Sequence, residues 1–107
     1  MNPMYRDGGD RIRIVVDSDL EDLIPGYLAN RRRDVDALHR ALRAGDFETV
    51  RTLAHSMKGT GGGYGFDHIT ELGAALEQAA GARAVSEIGR QIVALEEYLA
   101  RVEICYE

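Results

Sequence analysis

The residues with the clearest chemical potential lie around His55, in the stretch AHSMKGTGGGYGF (54–66). Lys58 follows this histidine by three residues, and Arg51 precedes it by four. Imidazole is a nucleophile available near neutral pH, and two nearby cations would favour its uncharged form. The same cations would offset the charge of a phosphoryl group on the ring. The spacing is therefore compatible with a phosphoryl-carrying histidine, although such residues also occur on ordinary solvated helix faces.

A helical wheel predicts that His55 points into solvent. The residues on the apolar face of the helix that carries it are Phe47, Val50, Leu53 and Met57. With about 100° per residue, His55 lies roughly 150° away from the centre of that face. Four residues are predicted to share its exposed side, namely Arg51, Lys58, Gly59 and Gly62.

Five glycines follow Lys58 within seven residues. The lysine precedes them, so the stretch is not a Walker loop, and no G-x-G-x-x-G can be placed in it. Each glycine inside a helix costs about 1 kcal/mol relative to alanine, which indicates a need for close approach to His55. The alternative is a long glycine-rich loop between two helices.

Other chemistries find little support. His39, His55 and His68 are predicted on different helices or helix ends with no partner histidine four residues away, so no metal site is expected. A catalytic triad is not expected, because no serine of the sequence lies in a nucleophile-elbow context. The net charge of −5 disfavours the binding of nucleic acid. No apolar run could span a membrane and no signal peptide is recognisable. With the single Cys105, these features predict a cytoplasmic protein.

The periodicity predicts an all-α fold, an antiparallel up-down-up-down four-helix bundle with a short extended N-terminal segment. We assign residues 1–18 to a flexible or extended segment and residues 19–107 to the bundle. Residues 1–10 read as a mobile tail, and 11–16 as a strand without a partner. The predicted helices span Asp19–Ala44, Asp46 to the glycine segment, Asp67–Ala80, and Arg83 to Val102 or beyond. Pro25 is tolerable in a first turn and would otherwise mark a kink. Gly45 is predicted to end the first helix, and Asp46 to cap the second.

The stretch LAHSMKGTGGGYGF resembles the signature of histidine-containing phosphotransfer (HPt) domains: Ala-His, a hydrophobic residue, Lys-Gly, small residues, then Gly and another hydrophobic residue. His55 matches the phosphoaccepting histidine of that family, Lys58 and Gly59 match the lysine and glycine after it, and Gly65 matches the later glycine. ITELGAALE (69–77) is similar to the family's third-helix pattern, and DLEDLIPGYLANRRRDV (19–35) to the first helix of stand-alone members.

The resemblance implies a phosphocarrier of a multistep phosphorelay, not an enzyme, because the chain leaves no room for an ATP-binding domain. Its expected partners are receiver domains of response regulators or of hybrid sensor histidine kinases. The receiver would supply Mg²⁺, so no intrinsic cofactor is expected, and the chain is expected to be monomeric. The rivals are an interaction module that carries no phosphate and, with less support, an enzyme with His55 as general base.

Supporting roles follow from the same resemblance. Lys58 would neutralise phosphoryl charge, Arg51 would add a longer-range field, and Gly59, Gly62 and Gly65 would leave space for the receiver. Thr60 either hydrogen-bonds near the site or is an ordinary solvated residue at the C-terminal end of its helix. Glu77 or Gln78, one helix away, could orient the ring. His39 and His68 are expected at the surface.

Arg31 interrupts the apolar stripe of the first helix, three residues after Leu28 and four before Val35. Counting along two antiparallel helices places it level with residues 58–60. We therefore predict that it reaches the end of the second helix, or the 61–65 segment, and donates to backbone carbonyls there. The alternative is an arginine that extends only into water.

Overall fold

A computed structural model describes residues 11–107, and the mobile tail predicted for residues 1–10 lies outside them. Four α-helices form an antiparallel bundle, with one short strand at each end of the described chain. In chain order the elements are β1 (Ile12–Val16), α1 (Ile24–Arg43), α2 (Phe47–Thr60), α3 (Asp67–Gly81), α4 (Val85–Arg101) and β2 (Val102–Tyr106). The predicted all-α four-helix bundle is confirmed.

The core forms where the apolar stripes of the four helices meet, as the 3.6-residue period requires. Each helix contributes side chains that are almost fully removed from water. The largest fully buried side chains of the helices are Ile24, Leu38, Val50, Met57, Ile69, Leu76, Ile88, Ile92 and Leu95. This core leaves the opposite face of α2, which carries His55, exposed to solvent.

The first helix begins later than predicted, at Ile24 instead of Asp19. The side chain of Asp17 accepts a hydrogen bond from the backbone N–H of Asp19 at 2.8 Å and starts a separate 3₁₀ turn, Ser18–Leu20. Pro25 then lies in the first turn of α1, where a missing N–H costs no helical hydrogen bond. The segment is therefore divided into a short 3₁₀ turn and one continuous helix that begins at Ile24.

The junction between α1 and α2 matches the sequence prediction. Gly45 adopts a left-handed conformation with φ of +68° directly after Ala44, the C-cap of α1. Asp46 caps α2, accepting from the Thr49 N–H at 3.1 Å and from its hydroxyl at 2.6 Å. These hydrogen bonds lower the pKa of Asp46, the side-chain bond contributing most. The junction thus fixes the start of the helix that carries His55.

Two predictions about the chain ends were wrong. β1 does have a partner, because it pairs in parallel with β2, from Ile12 opposite Val102 to Val16 opposite Tyr106. The last helix does not continue through Val102 either, since it ends at Arg101. The segment VEICY (102–106) alternates β-branched and polar residues, a pattern that favours a strand once an edge is available. Its partner lies about 90 residues away, so no local turn signal announces the pairing.

The glycine-rich segment is neither a plain helix nor a long loop. Helix α2 continues through Thr60, a 3₁₀ turn covers Gly62–Tyr64, and Gly65 has φ of +95°. A left-handed residue strongly favours glycine, which explains Gly65 without reference to a partner protein. The Tyr27 ring of α1 stacks on the ring of Tyr64 at 4.4 Å and holds the turn against the bundle.

Candidate functional site

His55 lies on the exposed face of α2, as the helical wheel predicts. Its side chain is 71% exposed, whereas Ala54 and Met57 on the opposite face are completely buried. The histidine is therefore presented on a rigid helix and not on a loop. A reactant can reach it without any rearrangement of the core.

Glu77 of α3 holds the imidazole ring in place. One carboxylate oxygen, Oε2, lies 2.9 Å from Nδ1 of His55. An ionised carboxylate can only accept, so neutral His55 carries its proton on Nδ1. Nε2 then carries the lone pair, and none of residues 11–107 hydrogen-bonds to it. The contact therefore leaves Nε2 as the ring nitrogen whose lone pair has no hydrogen-bond partner among residues 11–107.

The same carboxylate binds Lys58, whose Nζ donates to Oε1 at 3.2 Å. Glu77 thus bridges the histidine and the lysine through its two oxygens, and its own side chain is 22% exposed. The hydrogen bond from His55, followed by that from Lys58, lowers the pKa of Glu77. The group of His55, Lys58 and Glu77 is called the histidine cluster below.

Gly73 allows α3 to approach α2 closely enough to form this cluster. A Cβ atom at position 73 would lie 2.6 Å from the backbone nitrogen of Lys58 and 2.8 Å from the carbonyl oxygen of Ala54. Both atoms belong to the backbone and cannot turn aside as a side chain would. Glu77 follows Gly73 by one turn on the same face of α3. Gly73 therefore positions the Glu77 carboxylate at His55.

Sequence reasoning placed Glu77 only as one of two weak alternatives and did not select Gly73. A wheel of one helix cannot give its axial register against the next helix. The available signal was a single glycine, at position 73, inside an otherwise helical and apolar pattern. Gln78, the other alternative, is exposed, and no described residue forms a hydrogen bond with its side chain.

The glycines of the 59–65 segment serve different purposes. A Cβ atom at Gly61 would meet the backbone nitrogen of Thr70 at 2.7 Å, so this residue is required by internal packing. One at Gly62 would meet the Asp67 carboxylate at 3.4 Å, a van der Waals contact with a side chain. At Gly59 and Gly63 such an atom would have no neighbour within 4 Å. Space left for a partner is therefore an explanation that applies to Gly59, on the His55 face, and not to the whole segment.

Arg51 is on the His55 face, one turn before it, but it is not a free cation. Its guanidinium is 2.7 Å from the Glu48 carboxylate, and this pair is exposed. Glu48 and Glu77 therefore offset much of the positive field that the sequence predicts around His55. Both cations nevertheless lie within one helical turn of His55, Arg51 before it and Lys58 after it.

Thr60 and Arg31 lie together on the α1 side of α2. The Thr60 hydroxyl donates to the carbonyl of Ser56 at 3.0 Å and accepts from Nη1 of Arg31 at 3.4 Å. Its oxygen is also 3.1 Å from the hydroxyl of Tyr27. The Thr60 side chain is thus engaged with α1 and makes no contact with His55.

The prediction for Arg31 is confirmed in its location and corrected in its partner. Arg31 reaches the end of α2, but it bonds the Thr60 hydroxyl and not a backbone carbonyl. It also pairs with Asp34 at 2.8 Å and lies 4.6 Å from the centroid of the Tyr27 ring. Burial raises the pKa of Asp34, and Arg31 acts in the opposite direction. Only 12% of the Arg31 side chain is exposed, so it does not simply extend into water.

The other histidines are separate from the cluster. His68 lies 3.1 Å from Glu71 and His39 lies 3.6 Å from Glu96, both at least partly exposed. Among residues 11–107 no three potential ligands come together in a group that could hold a metal ion. None of the described helices is long and apolar enough to cross a membrane.

The described fold is a four-helix bundle in which His55, on an exposed helix face, is held by a carboxylate of the neighbouring helix. A profile of the Hpt domain matches residues 22–104, well over half of the chain. The chain therefore belongs to the Hpt family, whose domains carry phosphoryl groups in phosphorelays and have no catalytic kinase domain of their own. Members of this family generally interact with receiver domains. No curated protein and no solved structure matched the chain.

Proposed function

We propose that this protein is a histidine phosphocarrier in which His55 accepts a phosphoryl group from one receiver domain and donates it to another. The donors and acceptors are aspartates of response regulators or of hybrid sensor kinases. The observation that carries the proposal is the histidine cluster, in which Glu77 holds the Nδ1 proton and leaves Nε2 exposed. Family membership gives the class of reaction, and the cluster supports His55 as its centre.

In the proposed transfer, the Nε2 lone pair attacks the phosphorus of an aspartyl phosphate in line with the bond that breaks. The N–P bond forms as the bond between phosphorus and the aspartate oxygen breaks, and the aspartate leaves as a carboxylate. The ring becomes positively charged during this step, and Glu77 stabilises that charge through Nδ1–H. The reverse sequence delivers the phosphoryl group to the next receiver.

Lys58 is proposed to move between two anions. In the resting protein it binds Glu77, and its side chain is 48% exposed, so it has room to turn. A phosphoryl group on Nε2 adds negative charge within reach of the same ammonium group. Lys58 can therefore bind the phosphoryl oxygens after transfer, while Glu77 keeps its hydrogen bond to Nδ1 of the ring. Mg²⁺ is expected in the receiver and not in this chain.

The test is incubation with a panel of receiver domains phosphorylated at aspartate. Label that appears on this chain and is stable to alkali but lost in acid supports phosphohistidine. Binding of a receiver without transfer of label would support the rival, an interaction module that carries no phosphate. We expect a monomeric carrier that exchanges phosphate with these domains in the cytoplasm.

A pH-dependent contribution to stability follows from Glu77. Because its folded-state pKa is lowered, the histidine cluster stabilises the fold above the unfolded-state pKa of about 4.3 and loses that contribution as pH falls through the folded-state value. Glu77→Gln should therefore be less stable than the wild type near neutral pH. The gap should close on acidification below about pH 4.

Chemical unfolding at the two pH values measures this gap. Glu97→Gln, an exposed change on α4, is the control and should show no closing gap. An equal difference between wild type and Glu77→Gln at both pH values would contradict the bridging role of the carboxylate.

A further inference from the structure

The further inference concerns Arg83, which adopts a backbone conformation that ordinarily requires glycine. Its φ is +54°, and no other non-glycine residue among 11–107 has a positive φ. It follows α3, with its N–H bonded to the Ala80 carbonyl and that of Ala84 bonded to the Ala79 carbonyl. This pair of hydrogen bonds is the Schellman motif, whose left-handed position favours glycine.

The end of α1 provides a direct comparison within the same chain. There the Gly45 N–H bonds the Leu42 carbonyl, the Asp46 N–H bonds the Ala41 carbonyl, and the left-handed residue is Gly45. The two motifs have the same hydrogen bonds, yet one has glycine and the other arginine. Arginine at position 83 is therefore unfavourable for the fold, which suggests that its side chain has another use.

Arg83 lines a shallow pocket of about 430 Å³ between the start of α2 and the end of α3. The guanidinium lies 5.6 Å from the centroid of the Phe47 ring, which supports it from one side. Acidic side chains in this pocket are already engaged: Asp46 caps α2 and Glu48 pairs with Arg51. Arg83 itself is exposed and forms no ion pair with any of residues 11–107. Of the two cations that line the pocket, it is the one with no carboxylate among residues 11–107 directly paired to it.

The pocket begins one helical turn from the histidine cluster on both α2 and α3. Arg51 precedes His55 by one turn on α2, and Gly81 follows Glu77 by one turn on α3, so each pair shares a helix face. A Cβ atom at Gly81 would have no neighbour within 4 Å, so the groove between the helices is open there. A protein that covers His55 would extend over this pocket within about two helical turns, or roughly 11 Å.

We propose that Arg83 is a docking residue for a carboxylate on the receiver domain that exchanges phosphate with His55. This inference rests on the proposed function. A receiver brings its acidic phosphorylation site to His55, and this chain, with a net charge of −5, would otherwise repel it. Arg83 offers a fixed positive charge at the edge of the contact. Such peripheral charges act mainly on the rate of association and on its salt dependence.

The test uses Arg83→Gly, for which the fold and the docking role predict opposite effects. Glycine suits the left-handed conformation, so the melting temperature should rise by about 3 °C. Association with the receiver that transfers fastest to the wild type should slow about fivefold at low salt, with less effect at high salt. Arg83→Lys, which keeps the charge, should associate at close to the wild-type rate. Arg90→Gln on α4 is the control for loss of a cation elsewhere and should transfer normally.

The outcomes separate this inference from the proposed function. An Arg83→Gly variant that is more stable and associates at the wild-type rate would overturn the docking role and leave the phosphocarrier intact. Equal slowing in Arg83→Lys would also overturn it, because charge would not be the cause. If the wild type exchanges phosphate with no receiver, the proposed function fails, and the docking role with it.

Discussion

The His55→Gln variant should accept no phosphate while losing little of the stability of the wild type. Its side chain is 71% exposed, and changes at such positions usually alter the unfolding free energy by less than about 0.5 kcal/mol. Glutamine has no nucleophilic nitrogen, so the loss of transfer should be complete. The measurement is the stoichiometry of acid-labile label after incubation with a phosphorylated receiver.

Two further histidines provide matched controls for this variant. His39→Gln and His68→Gln change rings that lie beside Glu96 and Glu71, away from the histidine cluster. Both should take up label at the wild-type stoichiometry. Normal label on His55→Gln, or its loss from either control, would refute the assignment of His55.

The Gly73→Ala variant should be markedly less stable than the wild type. The added Cβ would lie 2.6 Å from the Lys58 nitrogen, so α2 and α3 must separate. Overpacking of this kind costs about 1–3 kcal/mol. The separation should also move Glu77 away from His55 and slow phosphoryl acceptance.

Gly59→Ala is the control for Gly73→Ala, because both replace a helical glycine near the cluster. Position 59 is open, so alanine there should stabilise the helix by up to about 1 kcal/mol. Denaturant unfolding compares the two variants. If Gly73→Ala is as stable as Gly59→Ala, then Gly73 does not set the distance between the helices.

Local signals in the sequence were sufficient to predict that four helices form and that His55 is exposed. The apolar period identifies the four helices, and Gly45 and Asp46 mark the junction before α2, because these effects depend on neighbours within a few residues. Arg31 was also placed correctly at the end of α2, since two antiparallel helices joined by a short turn have a calculable register. Its hydroxyl partner, Thr60, could not be chosen because that depends on a rotamer.

Contacts between distant segments were not predictable in the same way. The pairing of β1 with β2 joins the two ends of the described chain, and neither strand carries a hairpin signal. The placement of Glu77 at His55 depends on the depth of the crossing between α2 and α3, which Gly73 determines. The sequence places the end of α3 at Gly81, because glycine commonly ends helices. The left-handed residue is instead Arg83, two positions later, which no sequence pattern indicates.

The most direct test of the central claim locates the phosphoryl group on the ring. Nitrogen–phosphorus and nitrogen–proton couplings can be measured by NMR in phosphorylated protein with ¹⁵N-labelled histidine. The proposed mechanism predicts one phosphorylated residue, His55, with phosphorus on Nε2 and a proton on Nδ1 held by Glu77. Phosphorus on Nδ1, or on any residue other than His55, would contradict it.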